Sequence, residues 1–373
     1  MKNIVLLSLI AFSINLTAEE VVSTQDTTVV NQGCEVKHSP KPSSHTPAPS
    51  CSKPCPPKPV CHNTLCSAAP QSSNGWYIFA DMLYWHADVD HADWAFKNTN
   101  TASTVIAGPN HSLDFKWSYG FRAGIGANMD YDQWDTNVYF TWFQTKNSNA
   151  VGTTGAQSAQ DLFGLASPFS QGKINWTIHY SMLDWELGRW FYVSKHLSLR
   201  PHIGLKGGWI SQHVKEEFTR PIQNSYHSKT SNEFWGVGAS GGFNTKWNFA
   251  TLGSHHFDFF GDFAGALMYG HFDVDHNETG IIGVGPNNGF QPSKLDRNLM
   301  APMIQGIFGI SWDTGYNCDR CHIGLRLGYE FQYWWRQNQM LINETSAASL
   351  VNYRRSAGDL ALQGLTIDLK FDF

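Results

Sequence analysis

The segment AGDLALQGLTIDLKFDF, residues 357–373, decides how the rest of the chain is read. Leu365, Ile367, Leu369, Phe371 and Phe373 fall on one side of a period-2 pattern, and Thr366, Asp368, Lys370 and Asp372 fall on the other. Successive side chains of a β-strand point to opposite faces, so this pattern marks a strand with one apolar and one polar face.

The same alternation recurs upstream. In LDFKWSYGFRAGIGANM, residues 113–129, Leu113, Phe115, Trp117, Tyr119, Phe121 and Ile125 alternate with Asp114, Lys116, Ser118 and Arg122. LSLRPHIGLKGGW (197–209) and HIGLRLGYEFQYWW (322–335) repeat it. Ten such segments are expected, at 75–86, 113–128, 132–145, 173–192, 196–210, 233–247, 256–270, 299–312, 321–335 and 359–373. In the fourth, Ile174, Trp176, Ile178 and Tyr180 hand over to Leu183, Trp185 and Leu187, a change of phase that a β-bulge would produce.

Two features set this apart from a soluble sandwich. The apolar faces carry no Asp, Glu, Lys or Arg through the middles of the segments, while the opposite faces carry eight cationic and nine anionic residues. The gaps run about 26, 3, 27, 3, 22, 8, 28, 8 and 23 residues, the alternation of long outer loops and short periplasmic turns of an outer-membrane barrel. The fold expected is all-β: a transmembrane antiparallel up-and-down β-barrel of about ten strands, with twelve as the alternative. An even strand number places both termini in the periplasm and the long loops outside the cell.

Composition agrees. Charged residues make up 15% of the chain and aromatics 14%. The mean hydropathy of −0.32 argues against a helical membrane protein but suits a barrel with a polar inner face. No basic cluster interleaved with aromatics exists, which removes nucleic acid as a partner. Lys2, the apolar run Ile4 to Leu16 and the small Ala18 read as a signal peptide over 1–18. Residues 19–74 are rich in Pro, Ser and Cys with few large apolar side chains, and are read as a disordered periplasmic linker; the barrel is 75–373.

The 357–373 segment, ending on an aromatic, resembles the terminal strand of Gram-negative outer-membrane barrels. The resemblance implies that Phe373 belongs to an assembly signal, with the barrel assembly machinery and outer-membrane lipid as partners. FKWSYGFRAGIGANMDYDQWDTNVYFTWFQT and LDWELGRWFYVSKHLSLRPHIGLKGGW are similar to the Legionella-type major outer membrane protein family, also found in chlamydia-like bacteria. The similarity covers most of 75–373 and is anchored on Phe115-Lys116-Trp117, Gly120-Phe121-Arg122, Trp134-Asp135, Asp184 and Arg200-Pro201. It implies an outer-membrane porin passing small polar solutes or ions. The cysteine- and proline-rich leader has no counterpart in that pattern.

The residues expected to line the pore are Asp81, Asp114, Lys116, Arg122, Lys173, Asp184, Glu186, Arg200, His202, Lys206, Asp258, Asp262, Arg326, Glu330, Asp368 and Lys370. Their near-balanced charge implies weak ionic selectivity. Glycines on the same face, such as Gly124 and Gly204, would free lumen volume. Because ten strands lie near the size at which side chains fill a barrel, the alternative is a closed structural or adhesin barrel displaying long surface loops. In that alternative the barrel is tethered through Cys34, Cys51, Cys55, Cys61, Cys66, Cys318 and Cys321, all placed in one oxidising compartment and available to crosslink other envelope proteins. A homo-oligomer stays open.

Other motifs carry less. Cys318-Asp-Arg-Cys321-His322 has the letters of a haem attachment site but sits in a short turn without a pocket. Asp88-Val-Asp-His91 and Asp273-Val-Asp-His276 are read as solvated loop residues. Gly236 to Gly241 matches a dinucleotide fingerprint but lies within a strand. No local spacing joins a nucleophile to a base, so no enzyme, metal or cofactor is expected.

Overall fold

In the computed structural model, which describes residues 75–99, 108–129, 132–154, 158–162, 169–219, 225–280, 293–316, 321–343 and 353–373, ten long strands close into one ring. They are β1 (Trp76–Val89), β2 (Ser118–Asn128), β3 (Trp134–Gly152), β4 (Gln171–Arg189) and β5 (Leu197–Thr219), followed by β6 (Ser225–Leu252), β7 (His255–Gly280), β8 (Ser293–Tyr316), β9 (Cys321–Asn338) and β10 (Gly358–Asp372). The expected signal peptide, leader and Cys318 lie outside the described residues, as do the five cysteines from Cys34 to Cys66.

Each strand pairs antiparallel with its sequence neighbour, and β10 pairs with β1 from Tyr77↔Asp372 to Val89↔Leu360. The backbone N–H of Phe373 donates to the Trp76 carbonyl at 3.0 Å, so the termini of the ring share one end, the near end. A closed ring leaves no strand edge unpaired, which a span through hydrocarbon requires.

Outward side chains form an exposed apolar belt, with Met82, Phe121, Leu205, Val237, Leu267 and Leu327 among them. Trp76, Trp247 and Phe373 mark its near rim; Trp117, Trp209, Trp235 and Trp335 mark its far rim. Large apolar side chains bared on every strand and bounded by two aromatic girdles match a lipid-facing wall.

Three readings of the sequence are corrected. First, β4 keeps one register along its whole length, with no bulge. Ile174, Trp176, Ile178 and Tyr180 point inward and are at most 1% exposed. What changes along β4 is the chemistry of the barrel interior, polar near the termini and apolar beyond. Second, residues 113–117 precede β2, and two of them turn inward: Leu113 and Phe115 are buried, Phe115 meeting Trp176 edge-on at 5.8 Å. Third, the gaps expected around 211–232 and 271–298 are largely strand, because β5 to β8 run past the far rim. Outward positions there are polar (Ser211, His213, Lys215, Glu217), so the apolar alternation stops before the hydrogen-bonded ladder does.

Two small additions sit at the far end. Asp93–Asn98 pairs with Asn110–Ser112 and Ser158–Asp161, and Leu341–Asn343 pairs with Tyr353–Arg355.

Candidate functional site

The near half of the interior is a lattice of ion pairs. Arg200 on β5 binds Asp135 of β3 at 2.5 Å, Glu186 of β4 at 3.0 Å and the side-chain Oδ1 of Asn244 on β6 at 2.7 Å. Lys206 meets Asp184 at 2.5 Å, and Lys246 meets Asp313 at 3.3 Å. Arg326 pairs with Asp262 and lies 3.9 Å from Asp368. Arg122 binds Asp81 at 2.9 Å and Glu330 at 2.6 Å. The carboxylates are held further by neutral donors: Tyr139 to Glu186 at 2.9 Å, Thr366 to Glu330 at 2.9 Å and Asn248 to Asp258 at 2.8 Å. Removing one partner of such a buried pair leaves a charge without compensation, which costs more than the pair itself contributes.

Between these side chains lies a cavity of about 200 Å³. Among its lining residues five are cationic (Arg122, Arg200, Lys246, Arg326, Lys370) and seven anionic (Asp81, Asp135, Glu186, Asp262, Asp313, Glu330, Asp368). The glycines of this face do not simply add volume. A Cβ on Gly124 would stand 2.5 Å from the Phe79 ring and 2.6 Å from Tyr139, and one on Gly188 would stand 2.5 Å from the Arg200 guanidinium. Neighbouring side chains already occupy the space those residues vacate.

Above the ion pairs the interior becomes an apolar cap. Trp85, Phe143, Tyr180, Phe234, Phe272 and Trp334, from six different strands, are each at most 1% exposed. Tyr180 on β4 donates to the Gln332 side-chain oxygen on β9 at 2.7 Å, and its ring meets Trp334 edge-on at 6.0 Å. Those strands lie on opposite walls, so the contact bridges the lumen.

Of the sixteen residues expected to line the pore, thirteen face the interior. Asp114 and Lys116 lie before β2 and are exposed, Asp114 accepting from His86 at 3.0 Å. Lys173 is on β4 but points outward, a direct result of the unbroken register. Asp313 joins the lattice unexpectedly because β8 runs on to Tyr316, past the end expected for it at 312.

Beyond the far rim the interior holds further buried acids. Glu216, Glu278 and Asp161 are at most 3% exposed; Glu278 is hydrogen-bonded to His276 at 2.7 Å, whose other ring nitrogen meets Thr230 at 2.7 Å. Burial, reinforced by Asp161 and Glu278, pushes the Glu216 carboxyl well above the usual carboxylate range. The Asp273–His276 tetrapeptide is split by strand alternation: His276 points inward, while Asp273 and Asp275 face outward onto Lys294. Cys321 is half-buried and forms no disulfide among the described residues, and His322 beside it is buried in the lumen wall.

A closed antiparallel ring, lipid-facing outside and charged within, defines a transmembrane β-barrel of the outer membrane. The chain belongs to the family described as Legionella pneumophila major outer membrane protein precursor, whose profile matches residues 68–373. No curated protein matches it significantly. Among solved structures it is similar to the outer membrane protease OmpT of Escherichia coli, at 8% identity over 80% of this chain and 96% of that one, with a TM-score of 0.35. It is similar also to the Pseudomonas putida toluene transporter TodX, at 8% identity over 83% and 93%, with a TM-score of 0.20. Likeness at this level carries no argument about activity.

Proposed function

We propose that this barrel is an outer-membrane porin through which ions and small polar solutes diffuse, with weak charge selectivity and no catalysis. The observation that carries the reading is the near-half cavity, lined from many strands by charges of both signs. Two more carboxylates than cationic groups line it, so the preference is slightly for cations. The bridging cap makes the passage narrow, and unit conductance is correspondingly small. In this reading the near end faces the periplasm and the far end the medium.

The cap also favours a second reading, a closed barrel that acts by display or by anchoring through its leader. Conductance of the purified full chain in planar bilayers separates the two: channels above background support the porin, and their absence refutes it. Orientation is checked independently. A Lys229→Cys variant should react with an impermeant maleimide on intact cells, and protection there until the envelope is opened would reverse the assignment.

A further inference from the structure

Four lysines on the outward wall of β3 to β6, Lys146, Lys173, Lys215 and Lys229, are exposed and form no ion pair among the described residues. We propose that this wall binds the phosphate-bearing headgroups of the glycolipid around the barrel.

The ladder fixes where the lysines stand. Trp142, Ser181, Trp209 and Trp235 form one outward row of the far rim, since Trp142 pairs with Ser181, Ser181 with Trp209 and Trp209 with Trp235. Two rows further out, Lys146 pairs with Thr177 and Thr177 with His213. In the next row Lys215 pairs with Lys229, and one row beyond that Lys173 pairs with Glu217. At about 6.6 Å per two residues, the lysines begin roughly 13 Å along the strand from the tryptophan row. The Lys215–Lys229 row follows at roughly 20 Å and Lys173 at roughly 26 Å, all on the same wall whose lower part meets lipid tails.

Two observations point to an anion rather than to ordinary solvation. Lys215 and Lys229 stand directly opposite each other across the ladder, a like-charge arrangement that destabilises a sheet unless something offsets it. Carboxylates of the wall do not do so: Glu233 is taken by Ser211 and by His213 at 3.3 Å, and Glu217 forms no ion pair among the described residues. On the adjoining wall of β7 and β8 the lysine is compensated, Asp273, Asp275 and Asp296 closing on Lys294 at 3.0, 4.0 and 3.7 Å. The β3–β6 wall thus sets four lysines against two carboxylates, Glu217 and Glu233, and is continuous with the lipid belt.

Assignment of the glycolipid to the outer leaflet rests on the orientation proposed above, whereas binding itself is testable without it. The full chain is placed in nanodiscs with phosphorylated glycolipid or its dephosphorylated counterpart, and lipid retained on release is counted by native mass spectrometry. Preferential retention of the phosphorylated form is expected, falling on the order of tenfold in Lys215→Ser/Lys229→Ser and restored in Lys215→Arg/Lys229→Arg. Equal retention of the two lipids by the unmodified protein overturns the proposal with no variant needed. So does unchanged retention by a folded serine variant, displacement of the lipid by millimolar inorganic phosphate, or loss of an oligomer with lipid retention intact. The maleimide result on intact cells bears on orientation alone, so the two failures are distinguishable.

Discussion

Arg122 of β2 and Glu330 of β9 meet at 2.6 Å although β1 and β10 stand between them. The guanidinium is laid across the seam where the ring closes, and on its way it also binds Asp81 of β1 at 2.9 Å. Arg122→Ala leaves two buried carboxylates facing each other without a cation. A loss of about 3 kcal/mol is expected, read as a lower urea midpoint for the folded band on unheated gels. Arg122→Lys should recover only part of it, because a single ammonium lacks the fork that reaches both acids. An unchanged midpoint in Arg122→Ala would show that the seam does not depend on this bridge.

Trp334 fills the middle of the cap, touching Tyr180 and Phe234 from the opposite side of the lumen. Trp334→Ala opens space there at a cost of about 3 kcal/mol. If the barrel conducts, unit conductance should rise in this variant, measured in planar bilayers at fixed salt. No rise would place the constriction elsewhere.

Arg200 neutralises Asp135 and Glu186 together at the near end. Arg200→Gln keeps a donor but removes the charge, so the preference for cations should strengthen. A shift of reversal potential under a potassium chloride gradient is the readout, and an unmoved potential would take Arg200 off the ion path.

Glu216 lies beyond the lipid belt, with its carboxyl held above the range it has in an unfolded chain. The folded state keeps a proton there that the unfolded state releases above a pH of about 4. Its contribution to stability is complete below that pH and is lost as pH rises through the folded value. Glu216→Gln should raise the melting temperature at neutral pH and flatten its fall between acid and neutral conditions. Parallel melting curves for the two proteins would contradict this.

Strand number, order and closure were legible because lipid and lumen impose opposite chemistries on alternate residues. Arg200, His202 and Lys206 could be oriented from their apolar neighbours Ile203 and Leu205 alone. Legibility failed wherever the interior is itself apolar. Ile174 to Tyr180 alternate as a lipid-facing strand does, and only the pairing with β3 and β5 shows that they face inward. Lys173 was misdirected by the same ambiguity. Past the far rim both faces of β5 and β6 carry polar residues, so pairs such as Glu216 and Ser228 left no periodic signal. The bridge from Tyr180 to Gln332 joins positions 152 apart, and no local pattern could announce it.

Nine of the ten strand pairings are between consecutive strands and form by short local steps. The tenth is different in kind. Where β1 meets β10, Trp85 donates to the Thr366 hydroxyl across 281 residues of chain. Until that junction zips, the sheet has two bare edges, each able to template pairing with a foreign strand. Closure is therefore expected to be the slow and hazardous event in this molecule's biogenesis, with hairpins forming early and the ring last. A lesion at the seam would act first as a kinetic fault, seen as accumulated open sheets and aggregates, before it showed as a weaker finished barrel.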